Sequence, residues 1–344
     1  MLDLLLNEQS EVRMYTENDL EQAIEKGIFT ASAVEQFRQD RLQRRNTHFA
    51  DEEDFKLVSS FNDIFVLMAC ALLLLSTGWV LQAASPALAA LVVAGLSWGL
   101  AEFFVLKRKM ALPGIFLLVS FVGSIFAAVM LTIGWPSENG FMLAGSVAAV
   151  AAWCHWKRFK VPITVAAGTA SAVVFIVSLL VSLFPSLKSY LSWLMFGGGL
   201  VVFIVAMRWD AADLKRVTGK SDVAFWLHLT AAPLIVHPIF STLGIFDGQH
   251  SSASLALIMG LYLLLTLVSL VIDRRAFMVS ALVYVLVALT KLLDTYGLAG
   301  DSFAYVGVFI GFSLLLLSGF WHKVRYQLVR HLPASWQAKV PVIQ

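Results

Sequence analysis

The sequence predicts an all-α, polytopic membrane protein of about ten transmembrane helices, preceded by a small helical hairpin. Hydrophobic residues make up 59% of the 344 residues, and charged residues make up only 14%, well below the roughly 25% of soluble domains. The apolar residues also fall in runs of about 16–24 residues, near the length that crosses a bilayer. A single soluble core could not enclose so much apolar surface, so the chain is expected to lie in a membrane.

Ten apolar runs follow one another from Phe61 onward, with short connections between them. The fourth run is short and the seventh contains two prolines, so these two are the weakest of the set. The predicted spans are 62–82, 86–106, 113–134, 141–156, 161–184, 190–207, 223–245, 252–272, 276–296 and 302–320.

The positions of Lys and Arg support this count. If the N-terminus is cytoplasmic, 23 of the 25 Lys and Arg residues fall on the cytoplasmic side, and only Lys188 and Lys291 fall outside. Cations favour the cytoplasmic side of a membrane, and one span more or fewer would scramble the alternation. Both termini are therefore predicted to be cytoplasmic, and Arg274 and Arg275 are interpreted as topological anchors in an inner loop.

The chain divides into three parts. Residues 1–60 are predicted to be a cytoplasmic helical hairpin and linker, in which Gly27 ends one helix and a second helix starts after Thr30. The apolar face of this hairpin is thin, so it is expected to rest on the membrane domain or on a cytoplasmic protein partner. Residues 61–320 form the membrane domain, and residues 321–344 form a basic tail along the inner surface.

Ten spans divide into five and five. Because five is odd, a second half that repeated the first would lie inverted in the membrane, a common plan in transporters. The sequence shows no convincing residue-level repeat between the halves, so this division rests on the span count alone.

The seventh span is the most unusual one, because it carries His228, His237, Pro233 and Pro238. Ionisable groups are costly in a bilayer, and each proline frees a backbone carbonyl. One interpretation is a broken helix with a proton-responsive histidine, preferably His237, in a polar cavity; the alternative is ordinary kinks and neutral histidines bonded to neighbouring helices. The histidines lie nine positions apart, about 13.5 Å along a straight helix, too far to share one metal ion.

Three further ionisable residues are candidates for a substrate or proton pathway. Lys291 and Asp294 lie three positions apart, on one helix face, and are either an ion-coupling pair or a local salt bridge near the interface. Glu102 is either a carboxylate relay or the partner of Arg108 or another inner-face cation. Asp273 is expected to pair with one of the arginines beside it.

Two pairs of glycines have the spacing that lets membrane helices approach closely. They are Gly95 with Gly99, and Gly307 with Gly311. They are interpreted first as helix-packing positions inside the protein, and a homo-oligomer contact is the alternative.

Motifs of enzyme chemistry are absent from the sequence. There is no P-loop, no HExxH, no GxSxG and no CxxC, so we expect no enzyme, no metal and no cofactor. The two cysteines, Cys70 and Cys154, lie in apolar spans and are expected to be reduced. The net charge of +2 gives no reason to expect nucleic acid as a partner.

Several stretches resemble the DUF2157-like membrane proteins of bacteria. They include EKGIFTASAVEQF, VSSFNDIFVLMACALLL, FWLHLTAAPLIVHPIF, IDRRAFMVSALVYVL and LLLLSGFWHKVRYQLVRHLP. The resemblance implies an integral protein of the bacterial inner membrane and implies no activity and no catalytic residues.

Two functions fit these observations. The first is a secondary carrier for a small solute, with its polar site around the seventh span; the span count and the two histidines favour it. The second is a scaffold, assembly factor or sensor that does not transport and acts through its cytoplasmic hairpin. The soluble hairpin and the lack of an ion-coupling motif favour the second.

Overall fold

The fold is taken from a computed structural model that describes residues 22–37, 61–134, 137–214, 219–243, 252–295 and 302–333, together with Gln337 and Val340. The chain separates into two compact units, Met1–Glu52 and Glu53–Gln344. In the described part of the first unit, helical turns at 22–25 and 31–37 flank a turn. Gly27 ends the first with φ +67°, and Thr30 Oγ1 caps the second by accepting from the Ala33 N–H at 3.2 Å, as the sequence predicted.

Ten long helices make up the described part of the second unit, and each coincides with one of the predicted spans. A π-helical turn, Glu102–Lys107, continues the second helix, and a 3₁₀ turn, Pro185–Tyr190, precedes the sixth. The helices are α1 (Phe61–Gln82), α2 (Pro86–Ala101), α3 (Ala111–Ile133), α4 (Glu138–Phe159), α5 (Ile163–Leu183), α6 (Leu191–Ala211), α7 (Gly219–Thr242), α8 (Ser252–Ile272), α9 (Ala276–Thr295) and α10 (Ser302–Arg330).

Seven of the ten helices are long and apolar enough to cross a membrane, so the chain is a multi-pass membrane protein. These seven are α1, α2, α3, α5, α6, α7 and α10. In α8 and α9 the apolar stretches that the structure describes are shorter, Leu257–Ile272 and Ala276–Thr290. In α4 the polar pair Glu138-Asn139 and the basic pair Lys157-Arg158 lie at the two ends of the apolar stretch.

Helix α7 is the most enclosed of the seven. Just over half of its apolar stretch, 56%, is buried inside the protein, compared with 11% for α1. It packs against α5, α6 and α9, and its fully buried residues Leu227, Val236 and Phe240 belong to the largest apolar cluster. The side chains of α7 are therefore the best placed of any spanning helix to meet other protein groups away from lipid.

The two prolines do not interrupt α7, which is one continuous helix from Gly219 to Thr242. This differs from the predicted broken helix. Each proline removes only the bond to the carbonyl four residues earlier, that of Leu229 or Leu234. A long spanning helix tolerates such a loss because its neighbours and the rest of its ladder hold it in shape.

Close helix approach occurs at glycines outside the two predicted pairs. A Cβ atom added at Gly145 of α4 would lie 2.8 Å from the backbone nitrogen of Phe175 in α5, and one added at Gly199 of α6 would lie 2.8 Å from Leu234 Cβ in α7. At the four predicted positions an added Cβ would meet no described atom within 4 Å; these are Gly95, Gly99, Gly307 and Gly311. Their expected packing partner is not found in the described part of the chain.

Helix α10 is longer than predicted. It continues ten residues beyond the predicted end of the last span, to Arg330. The first part of the predicted basic tail is therefore the last turns of α10, and it packs through Trp321, which is 1% exposed. The predicted span ended at Phe320 because charged residues follow soon after it. The helix itself continues through them, since helix formation does not require an apolar sequence.

Candidate functional site

Three buried ionisable side chains meet at the end of the bundle where α6 stops and α7 starts. Asp210 lies in the last turn of α6, His228 lies on α7, and Arg274 lies in the turn between α8 and α9. Their side chains are 2%, 0% and 2% exposed. Charged residues are almost never this buried unless they are paired, so the cluster is the first candidate for a functional site.

Asp210 is the centre of this cluster. Its Oδ2 lies 2.7 Å from His228 Nε2, and its Oδ1 lies 2.6 Å from an Nη of Arg274. Because a carboxylate only accepts, the imidazole donates through Nε2. The same Arg274 nitrogen lies 3.1 Å from both the carbonyl and the hydroxyl oxygen of Ser221, so the start of α7 is also tied to this group.

The local chain geometry explains how Arg274 comes to point inward. Asp273 takes a left-handed conformation with φ +57°, which Asp tolerates better than most residues. The Arg274 N–H then donates to the Ser269 carbonyl at 2.9 Å, and Ser269 Oγ accepts from the Met278 N–H at 3.1 Å. This tight turn directs Arg274 towards Asp210, so its side chain lies inside the bundle.

The charge balance of the cluster depends on His228. With a neutral imidazole, the Asp210 carboxylate and the Arg274 guanidinium cancel. A proton on His228 would leave a net charge of +1 in a site closed to water, where unbalanced charge costs several kcal/mol. The imidazole lies beside the Phe203 and Phe277 rings, at centroid distances of 5.5 Å and 6.3 Å, and these two rings contact each other on the same side of it.

A second layer of polar contacts joins α10 to the same turn. Asp273 Oδ1 accepts from Trp321 Nε1 at 2.9 Å and lies 3.3 Å from Arg325 Nε. The guanidinium of Arg275 lies over the Trp321 ring at 4.9 Å from its centroid, a cation–π geometry. Two residues of α10, Trp321 and Arg325, are thus partners of Asp273.

The two histidines of α7 are in different surroundings. His228 is fully buried, whereas His237 is exposed, and its Nδ1 lies 2.7 Å from the Tyr284 hydroxyl of α9. Pro233 is also exposed and Pro238 is buried. The polar interior is therefore at His228, and His237, which was the preferred candidate, lies at the surface of the bundle.

Glu102, another predicted pathway residue, pairs outside this cluster. Glu102 forms a two-point ion pair with Arg158, with bonds of 2.9 Å and 2.8 Å between side chains that are 35% and 55% exposed. This corresponds to the second interpretation of Glu102, in which it pairs with a cation at the same end of the bundle. Lys291 and Asp294 lie in the last turns of α9, where the side chains are outside the described residues.

A third histidine, His155 of α4, was not recognised from the sequence. It is fully buried, and its Nδ1 lies 3.2 Å from Thr164 Oγ1. Its Nε2 has no hydrogen-bond partner among the described residues. The rings of Trp98, Phe121 and Phe159 surround it at centroid distances of 4.4–5.9 Å, so it occupies an aromatic pocket in the first half of the domain.

The described side chains do not form a metal site, because no three His, Cys, Asp or Glu residues among them are placed to hold an ion. No family model, no curated protein and no solved structure matches this chain.

Proposed function

We propose that the protein spans the bacterial inner membrane ten times, with both termini in the cytoplasm, as a secondary carrier of a small solute. The agreement of ten helices with ten apolar segments supports the span count, and the bias of Lys and Arg supports the orientation. In this orientation the cluster of Asp210, His228 and Arg274 lies at the cytoplasmic end.

The buried cluster is the one observation that carries the carrier proposal. Carriers alternate between states that are open to one side, so they need contacts that close one end and can separate. Asp210 is bonded to groups from α7 and from the α8–α9 turn at 2.7 Å and 2.6 Å. This cluster closes the cytoplasmic end of the second half of the domain.

Protonation of His228 is the event that opens this end. A protonated His228 is by itself a sufficient counter-charge for Asp210. The cluster then holds one cation more than it needs, and Arg274 is the cation that can leave. Its departure would release the α8–α9 turn from α6 and from Ser221. A proton is thereby coupled to the exposure of the cytoplasmic end, as a proton-coupled carrier requires.

Thiol accessibility at Ser221 tests this opening. In a background with Cys70→Ala and Cys154→Ser, a cysteine introduced as Ser221→Cys reports on the cluster. We expect protection from membrane-impermeant reagents at about pH 8. Labelling from the cytoplasmic side should appear only when the pH falls below the ordinary pKa of histidine, because a proton on His228 costs several kcal/mol while the site is closed. Adding His228→Gln should remove the pH dependence, and labelling that does not rise at acidic pH relative to that of a solvent-exposed cysteine would contradict the mechanism.

The carrier assignment itself needs a flux measurement. Proteoliposomes holding the wild-type protein and proteoliposomes holding Asp210→Asn are compared for current and internal pH change across a set of small solutes. We expect at least one solute class to produce a signal in the wild type that the variant lacks. If no solute gives a protein-dependent signal in correctly inserted protein, the carrier proposal is wrong.

A scaffold or sensor is the second candidate, and the N-terminal unit favours it. Ile28, Phe29 and Phe37 expose 66%, 50% and 43% of their surfaces, and exposed apolar groups often mark a contact site. Changing all three to Ser should abolish cross-linking of the N-terminal unit to a cytoplasmic protein while leaving flux intact. Loss of flux in that variant would count against a separate scaffold role.

A further inference from the structure

A half-open cavity of about 280 Å³ lies at the opposite end of the bundle from Asp210. It is formed where α4 begins, α5 ends and α6 begins. Its walls are apolar, built mainly from Phe141, Val177, Val181 and Leu191. Ligand pockets span roughly 300–1,000 Å³, so this cavity is the size of a small solute or of part of a larger molecule.

Two opposite charges lie at the mouth of the cavity. Lys188 Nζ and Glu138 Oε1 are 2.9 Å apart, and the two side chains remain 72% and 45% exposed. An ion pair so exposed to solvent contributes little to stability. Breaking this ion pair therefore costs little, and each side chain can pair with an opposite charge of a ligand instead. The apolar wall beside them can bury an apolar group of the same ligand.

We propose that this cavity binds a small zwitterion, with its anionic group on Lys188, its ammonium group on Glu138 and an apolar group against Phe141 and Val177. A simple anion would bring its charge next to the Glu138 carboxylate, and a simple cation would approach Lys188. Only a ligand with both charges a few bonds apart satisfies both side chains. The inference concerns binding, and it does not require the protein to be a carrier.

Two sources supply this chemistry. A free amino acid with an apolar side chain carries a carboxylate and an ammonium group on one carbon. A phosphatidylethanolamine headgroup carries a phosphate and an ammonium group two carbons apart, with acyl chains that would lie along the exposed apolar residues nearby, Leu183, Phe184 and Trp193. Phosphatidylcholine is the matched lipid, since its quaternary ammonium has no N–H to donate to Glu138.

The test uses the purified full-length protein in detergent and measures binding of L-leucine by calorimetry. Lys188→Gln and Glu138→Gln each remove one charged hydrogen bond and should weaken binding at least about tenfold. The carboxylate-only analogue, 4-methylpentanoate, and the amine-only analogue, isoamylamine, should show the same loss. Native mass spectrometry of protein loaded with phosphatidylethanolamine or phosphatidylcholine tests the lipid source.

The controls separate the cavity from the ion pair. Glu102→Gln removes another ion pair, with Arg158, whose residues do not line this cavity, and should leave binding unchanged. Ser178→Leu keeps Glu138 and Lys188 and fills the cavity, so it should abolish binding. Equal elution volumes and thermal midpoints show whether each variant is folded.

Saturable leucine binding that is lost in both charge variants supports the proposal with an amino acid as the source. Retention of phosphatidylethanolamine over phosphatidylcholine that is lost in Glu138→Gln supports it with a lipid as the source. Absence of both signals, or binding that survives the charge variants and Ser178→Leu, overturns it. None of these readouts measures flux, so the binding proposal and the carrier proposal can fail separately.

Discussion

Removing the Asp210 carboxylate should be among the most damaging single substitutions in the membrane domain. In Asp210→Asn, Arg274 keeps its bonds to Ser221 but loses its only described counter-charge, at 2.6 Å. A buried ion pair that loses one partner typically costs about 3–5 kcal/mol, because the remaining charge is buried and uncompensated. We expect this loss in the free energy of unfolding at about pH 8, where His228 is neutral in the proposed mechanism.

The double variant Asp210→Asn with Arg274→Met is the informative control. Because it removes both charges, it should be clearly more stable than Asp210→Asn alone. In Arg274→Met alone, a protonated His228 can serve as the counter-charge of Asp210, so its deficit should shrink as the pH falls from about 8 to about 6. The assay is reversible unfolding of the purified protein in mixed micelles, followed by tryptophan fluorescence. A double variant no more stable than Asp210→Asn would refute this account of the cluster.

The remaining predictions concern packing and the two other buried polar groups. His155→Phe combined with Thr164→Val should be neutral or stabilising in thermal unfolding, because the pair removes both ends of a buried hydrogen bond and a nitrogen that has no described partner, and adds a ring to an aromatic pocket; a large loss would mean that His155 Nε2 is also bonded. Trp321→Phe should cost about 1–3 kcal/mol of unfolding free energy, since Asp273 loses a buried donor, and an unchanged midpoint would contradict this. Gly199→Ala should cost about 1–3 kcal/mol through overpacking against α7, whereas Gly95→Ala should be neutral or stabilise by roughly 0.5–1 kcal/mol. Destabilisation by Gly95→Ala would instead indicate a contact with another copy of the chain.

The helices could be predicted because their signal is local. An apolar run of sufficient length is a property of consecutive residues, and all ten helices coincide with predicted runs. The predicted helix ends were wrong where a helix continues into charged sequence, as α10 does to Arg330. A hydrophobic run ends where polar residues begin, but the helix does not have to end there. The predicted orientation of the helices in the membrane rests on the distribution of Lys and Arg along the chain.

The buried cluster could not be predicted because it depends on contacts between distant positions. The sixth span was predicted to end at residue 207, so Asp210 was placed with the charges of a solvated loop. The helix in fact continues to Ala211, which keeps Asp210 inside the bundle. Arg274 is 64 residues away in sequence, and two adjacent arginines in a short loop satisfy the charge rule for membrane topology equally well. Only the turn at Asp273 distinguishes the one that points inward.

His228 and His237 show the limit of reasoning from residue type. Both are histidines in one apolar helix, and a straight helix places them about 180° apart. Which of them faces protein depends on the position of α6 and α9, and the sequence contains no direct signal for it. One pattern could have indicated that His228 faces protein: Ala224, Leu227 and Ala231, which are small or apolar, lie on the same face of the helix. All three are completely buried.

Stability alone gives little reason for the charges of the cluster. A well-packed apolar replacement of a buried ion pair is often neutral or more stable, by about 1–4 kcal/mol in favourable cases. Asp210 and Arg274 are therefore costly residues for a site whose only task is to hold α6, α7 and the α8–α9 turn together. A contact that must separate and reform also needs groups that are stable in water when they are apart. Two ions released into water regain their hydration, whereas exposed apolar side chains would not. The chemistry of this cluster suits an end of the bundle that opens better than one that stays closed, which is why we assign the functional role to it and not to His237.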